Sequence, residues 1–161
     1  MRVIAAMMLA LSLAACATKY PGEPASAHDD ERFGGDPVFV LGIDVGRMGI
    51  FNDRIASAGE LVETPATGGD ELIGVSRKLR VTTLEFLARK ERLCDELKFT
   101  AQSCAAIAPP AWLAQDPNEA ITPHQLLERI EAVQELMGPL MDVACETGKA
   151  KSKDEMFCSV E

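Results

Sequence analysis

The chain is 161 residues long, carries a net charge of −9 at neutral pH, and is 47% apolar but only 5% aromatic. That length is enough for one domain with a real core, and the acidic balance argues against holding nucleic acid or anionic lipid by charge. The basic residues are interspersed with acidic ones except at Lys149, Lys151 and Lys153, a cluster that reads as a solvated turn.

The first element is Met1 to Ala15. Arg2 is its sole charge, Val3 to Leu13 is apolar apart from Ser12, and Leu13-Ala14-Ala15 leads into Cys16. A basic start, a short apolar run and small residues before a cut describe an export signal. A helix from Val3 to Ala15 is too short to span roughly 30 Å of hydrocarbon. With cysteine after the cut, the segment resembles a bacterial lipoprotein signal with its lipobox. The resemblance implies cleavage before Cys16, a diacylglyceryl thioether on its sulfur and an acylated amino group, so that the bilayer is a partner. Ala17 stands where enteric lipoproteins kept at the inner membrane carry aspartate, which implies delivery to the outer membrane on its periplasmic side. Inner-membrane and cell-surface placements stay open. Each buried methylene of such an anchor adds about 0.8 kcal/mol.

Residues 16–37 follow as a lipidated tether, with Pro21, Gly22, Pro24, Gly34, Gly35 and Pro37 among polar residues and no apolar period. A flexible chain of this length has a root-mean-square span of about 25 Å. His28-Asp29-Asp30-Glu31 within it reads as a solvated charge run rather than a metal site.

The helical domain takes up residues 38–161. In Val38 to Val62, Val38, Leu41, Val45, Met48 and Ile55 form a helical stripe, with Asp44, Arg47 and Arg54 on a narrow polar face. Gly42, Gly46 and Gly49 weaken an isolated helix by about 1 kcal/mol each, and they suit close approach of a neighbouring helix. The rival is a buried strand, Val38 to Ile43. Val40-Leu41-Gly42-Ile43-Asp44-Val45-Gly46 resembles the first strand of actin-like ATPases and some RNase H-like nucleases. That resemblance would imply a metal-binding Asp44, but the chain is short for such an ATPase and an exported address removes ATP and DNA. Helix is the expectation.

Thr64 to Gly69 reads as a loop and Asp70 as a helix cap. Glu71 to Ala108 then reads as one long helix, with Leu72, Val75, Leu79, Leu84, Leu87, Cys94 and Leu97 inside and Arg77, Lys78, Arg80, Arg89, Lys90, Glu91 and Arg92 on the wet side. Pro109-Pro110 ends it. After a connection carrying Trp112, Thr122-Pro123 starts a second helix, with Leu126, Ile130, Val133, Met137, Leu140 or Met141, and Ala144 as its buried face. Gly138-Pro139 is expected to kink or split this helix, and Gly148 to stop it. Met156 and Phe157 in the tail are apolar enough to pack back. The fold class expected is mainly α, a small helical bundle built on an antiparallel helix pair, with Glu71–Ala108 and Pro123–Thr147 as that pair.

Four cysteines remain after Cys16: Cys94, Cys104, Cys145 and Cys158. An even number in an exported chain reads as two disulfides, and the spacings do not match the closely paired ligands of zinc sites. Three pairings are open, and the local one, Cys94–Cys104 with Cys145–Cys158, is preferred. In an unbroken helix Cys94 and Cys104 would stand about 15 Å apart, whereas a disulfide needs Cα atoms within roughly 7 Å. Local pairing therefore requires a helix break near Phe99-Thr100.

Little catalytic chemistry is visible. The only histidines are His28, in the tether, and His124, at a helix start, and neither has a nucleophile beside it. Asp95/Glu96 and Glu128/Glu131 have spacings found on any acidic helix surface. Met137, Met141 and Cys145 share a helix face and offer soft ligands that suit Cu(I), but methionine is also ordinary core filler. Trp112 suits either a core plug or an exposed anchor. The expectation is a non-enzymatic accessory or adaptor lipoprotein, needing no cofactor, that binds another envelope protein. Pilotin-like assembly factors and periplasmic inhibitors fall in that class. The alternative is a periplasmic copper-handling protein using Met137, Met141 and His124.

Overall fold

The computed structural model describes residues 36–61, 68–150 and 158. The signal, Cys16, nearly all of the tether, residues 62–67, Lys151, Lys153, Met156 and Phe157 lie outside them. The described residues form four α-helices, α1 (Pro37–Leu61), α2 (Gly68–Glu96), α3 (Ala101–Ala106) and α4 (Pro123–Glu146), with a 3-10 turn at Ala111–Ala114. No strand occurs among them, so the strand reading of residues 38–43 falls.

The three long helices share one pattern. Among their buried positions, a seam runs through Leu41, Asp44, Met48, Phe51, Ile55 and Ala58 on α1; Leu72, Val75, Leu79, Thr82, Phe86, Arg89 and Leu93 on α2; and Leu126, Ile130, Val133, Met137, Leu140 and Ala144 on α4. Each series alternates steps of three and four, the seam of helices packed side by side at small crossing angles. In the β-branched run Val81-Thr82-Thr83, the buried Thr83 hydroxyl is satisfied by donating to the Leu79 carbonyl at 2.7 Å.

Local signals set the helix ends. Asp36 caps α1, its Oδ1 accepting from the amides of Val38 (3.0 Å) and Phe39 (3.3 Å), with Pro37 at the first helical position. Thr122 caps α4 in a reciprocal capping box with Gln125. Asp70 is no cap, because α2 already begins at Gly68 and Asp70 lies in its first turn, where its charge suits the helix dipole.

The long helix expected from Glu71 to Ala108 is two helices. α2 stops at Glu96 because Lys98 takes a left-handed φ of 61°. The Phe99 amide donates to the Cys94 carbonyl (2.8 Å) and the Lys98 amide to that of Asp95 (3.2 Å), which is a Schellman stop. α4 ends the same way at Gly148, φ 64°, with the Lys149 amide on the Ala144 carbonyl at 3.0 Å. Each stop turns the chain back into a disulfide: Cys94–Cys104 with Cα atoms 5.9 Å apart, and Cys145–Cys158 at 5.5 Å. The local pairing holds, and the break it required is at Lys98.

The orientation of the helices corrects the expected pair. Arg129 on α4 meets Ser76 on α2, and Lys149 just past α4 meets Glu96 at the end of α2. Both contacts advance together along the chain, so α2 and α4 run parallel. The antiparallel partner of α2 is α1, whose Asp44 and Arg47 meet Arg89 and Glu85. Helix α1 packs along both others, and residues 97–122 return the chain to the starting end of the bundle.

α4 passes through Gly138-Pro139 as one helix, so the expected split is absent. A Cβ added at Gly42 or Gly49 would meet nothing within 4 Å, so no neighbouring helix approaches closely at either position.

Candidate functional site

Asp44 and Arg89 are the charged residues that sequence reasoning misplaced. Both were expected on polar faces, yet the Asp44 side chain is 0% exposed and that of Arg89 7%. They form an ion pair between α1 and α2. Arg47 donates to the other oxygen of Asp44 at 3.1 Å and to Glu85 at 3.2 Å, making a chain of four charged groups that leads from core to surface. Burial pushes the Asp44 carboxyl up to about 7, against the lowering pull of the two guanidinium groups. The signal was present in the sequence: Asp44 lies on the Leu41–Met48–Phe51 seam, and Arg89 on the Phe86–Leu93 seam.

Trp112 is neither a fully buried plug nor an exposed anchor. The Arg129 guanidinium lies 5.4 Å from its ring centroid. That guanidinium also donates to Ser76 Oγ at 2.8 Å and Gln115 Oε1 at 2.6 Å, and burial lowers its proton affinity. The assembly pins the returning segment to α2 and α4. The Trp112 Nε1 is buried with no hydrogen-bond partner among the described residues.

The sulfur face of α4 is divided. Met137 and Met141 are core residues at 1% and 6% exposure, and Cys145 is bonded to Cys158. His124 is exposed near Glu128 Oε1 at 3.5 Å. It precedes Met137 by thirteen residues, about 20 Å along the helix. The structure therefore does not bring these ligands together, and no three His, Cys, Asp or Glu among the described residues are placed to hold a metal ion. Asp95, Glu96, Glu128 and Glu131 are all exposed. Lys149, expected in a solvated turn, reaches the carboxylate of Glu96 at 3.3 Å and also its carbonyl.

Among the concavities of the described surface, two have largely apolar walls. A groove of about 580 Å³ runs between the Cys94–Cys104 arm and the outer face of α4, with Phe99, Ile107, Leu136 and Pro139 as apolar walls and Glu135 beside them. Pro139 has no amide hydrogen, so the Glu135 carbonyl lacks its usual helical donor. A smaller cleft of about 340 Å³ lies between α1 and α2, around Phe51 and Val81. No helix among the described residues is long and apolar enough to cross a membrane. No protein-family profile, no curated protein and no solved structure matches this chain.

Proposed function

We propose that this chain is a lipid-anchored, non-enzymatic accessory protein of the bacterial envelope, held at the periplasmic face of the outer membrane by Cys16 and docking another envelope protein. The observation that carries the reading is the export signal ending in Leu13-Ala14-Ala15-Cys16, which resembles the lipoprotein signal. Support for docking comes from the groove beside α4. Its apolar walls suit an apolar side chain from a partner helix, and the Glu135 carbonyl offers an acceptor beside them. The disulfide at Cys94–Cys104 holds one wall, so the groove needs little ordering on binding.

Two measurements test the reading separately. Metabolic labelling with an alkyne fatty acid should mark the protein and the mark should vanish in Cys16→Ser; labelling that survives would refute the anchor. A photo-crosslinker at Leu136, in cells, should capture one discrete envelope protein that a crosslinker at exposed Gln134 captures weakly. Equal capture from both positions would refute docking through the groove.

A further inference from the structure

The cleft between α1 and α2 differs from the groove in its charge. Phe51, buried at 6% exposure, and Thr82, at 4%, give it a mostly apolar floor with Val81 beside them. Four charged residues, Arg47, Arg77, Lys78 and Glu85, also line it. Arg47 is shared between Asp44 and Glu85, and Arg89 also pairs with Asp44. That chain of four is neutral when both carboxyls are ionised. Two cations are left over. Arg77 donates to the side-chain oxygen of Asn118, a neutral partner, and among the described residues neither Arg77 nor Lys78 has a carboxylate within ion-pair distance. In a chain of net charge −9, an apolar cleft with two uncompensated cations runs against the overall field.

We propose that this cleft binds a single-chain anionic amphiphile, its acidic head between Arg77 and Lys78 and its apolar chain over Phe51 and Val81. Arg77 is held by Asn118 through one nitrogen and has further N–H groups to offer, and an oxyacid head accepts two parallel bonds from such a fork. The volume, about 340 Å³, is at the small end of ligand sites, which run from roughly 300 to 1,000 Å³. It suits one short chain and not a diacyl lipid. A fatty acid and an anionic lysophospholipid share this chemistry. The site is distinct from the groove beside α4 and does not depend on how that groove is used.

The test uses the full chain carrying Cys16→Ser, which keeps every other residue and cannot be acylated there. Calorimetric titration compares decanoate, decyl phosphate, decanol and decyltrimethylammonium, and amide chemical shifts locate the bound probe. One or both anions should bind at a single saturable site, shifting the amides of Phe51, Val81 and Thr82. The tighter anion identifies the source as fatty acid or phospholipid-derived. Decanol and the cation should bind at least tenfold more weakly. Arg77→Ala with Lys78→Ala should weaken anion binding at least tenfold at an unchanged melting temperature. Should that variant fold poorly, Lys78→Glu alone, at an exposed position, should still weaken it severalfold. Equal binding of the cation, wild-type affinity in Lys78→Glu, shifts confined to the Leu136 groove, or no saturable binding would each overturn the proposal.

Discussion

Replacing Arg89 by methionine separates what the buried ion pair costs from what it holds. The side chains of Asp44 and Arg89 are 0% and 7% exposed, so removing the cation strands a carboxylate in the core. Breaking a buried pair in this way costs about 3–5 kcal/mol, which for a domain of this size lowers Tm by roughly 12–20 °C. The loss should be larger at pH 8, where the wild-type carboxyl with its pKa of about 7 is ionised, than at pH 5, where it is already protonated; without Arg89, which lowers that pKa, the stranded carboxyl is pushed further up. Adding Asp44→Leu removes the stranded charge, and Arg47 keeps Glu85 at 3.2 Å as its partner. The double variant should equal or exceed wild type by up to about 4 kcal/mol. Urea denaturation of both singles and the double at the two pH values closes the cycle. A neutral Arg89→Met at pH 8, or a double variant as unstable as that single, would refute the reasoning.

The remaining predictions follow from the same geometry. Asp44 has a folded pKa above its unfolded value of 3.8, so its contribution is fully present below about pH 4 and is lost as pH rises through 7; Asp44→Asn should flatten that part of the pH–stability curve, as urea midpoints will show. Gly42→Ala and Gly49→Ala meet nothing within 4 Å and should each stabilise by about 0.5–1 kcal/mol, read as additive rises in Tm. Lys98→Gly relieves a left-handed residue and should stabilise by up to about 1 kcal/mol, whereas Gly148→Ala should destabilise in the same melts. Removing Cys94–Cys104 or Cys145–Cys158 opens loops of ten and thirteen residues and should cost about 3 kcal/mol each; a non-reducing tryptic digest linking the Cys94 and Cys145 peptides would contradict the pairing.

The helical class, the cap at Thr122, the stop at Gly148 and the α4 core could be read from sequence because each rests on local chemistry or a steady apolar period. The break at Lys98 was not legible from local signals, because no glycine or proline marks it; only the reach of a disulfide pointed to it. The direction of α2 relative to α4 was hidden for a different reason. It depends on the path of residues 97–122, and Pro109-Pro110 signals an end without saying which way the chain leaves. Asp44 and Arg89 are not legible as core residues from sequence, because a charged side chain ordinarily marks a wet face. Their seam positions outweigh their polarity once each can neutralise the other. The α1–α2 cleft could not be read at all, since Phe51 and Arg77 are brought together only by helix packing.

The arrangement of covalent and noncovalent ties gives the buried pair a purpose other than stability. Helices α2 and α4 each run into a disulfide-closed turn, and both turns lie at the same end of the bundle. Helix α1 contains no cysteine and is joined to α2 along its length by packing and by the Asp44 network. A seam of alternating three- and four-residue steps is nearly self-similar after seven residues, so apolar packing alone discriminates weakly between registers of α1. Asp44 lowers that degeneracy, because a slip of one heptad would take its carboxylate away from Arg89. Buried polar residues in helical seams fix register in this way at a cost in stability. The Asp44→Leu, Arg89→Met variant should therefore be no less stable than wild type, but it should show more than one set of amide resonances for α1. A single set, unshifted in register, would mean that apolar packing alone fixes the alignment.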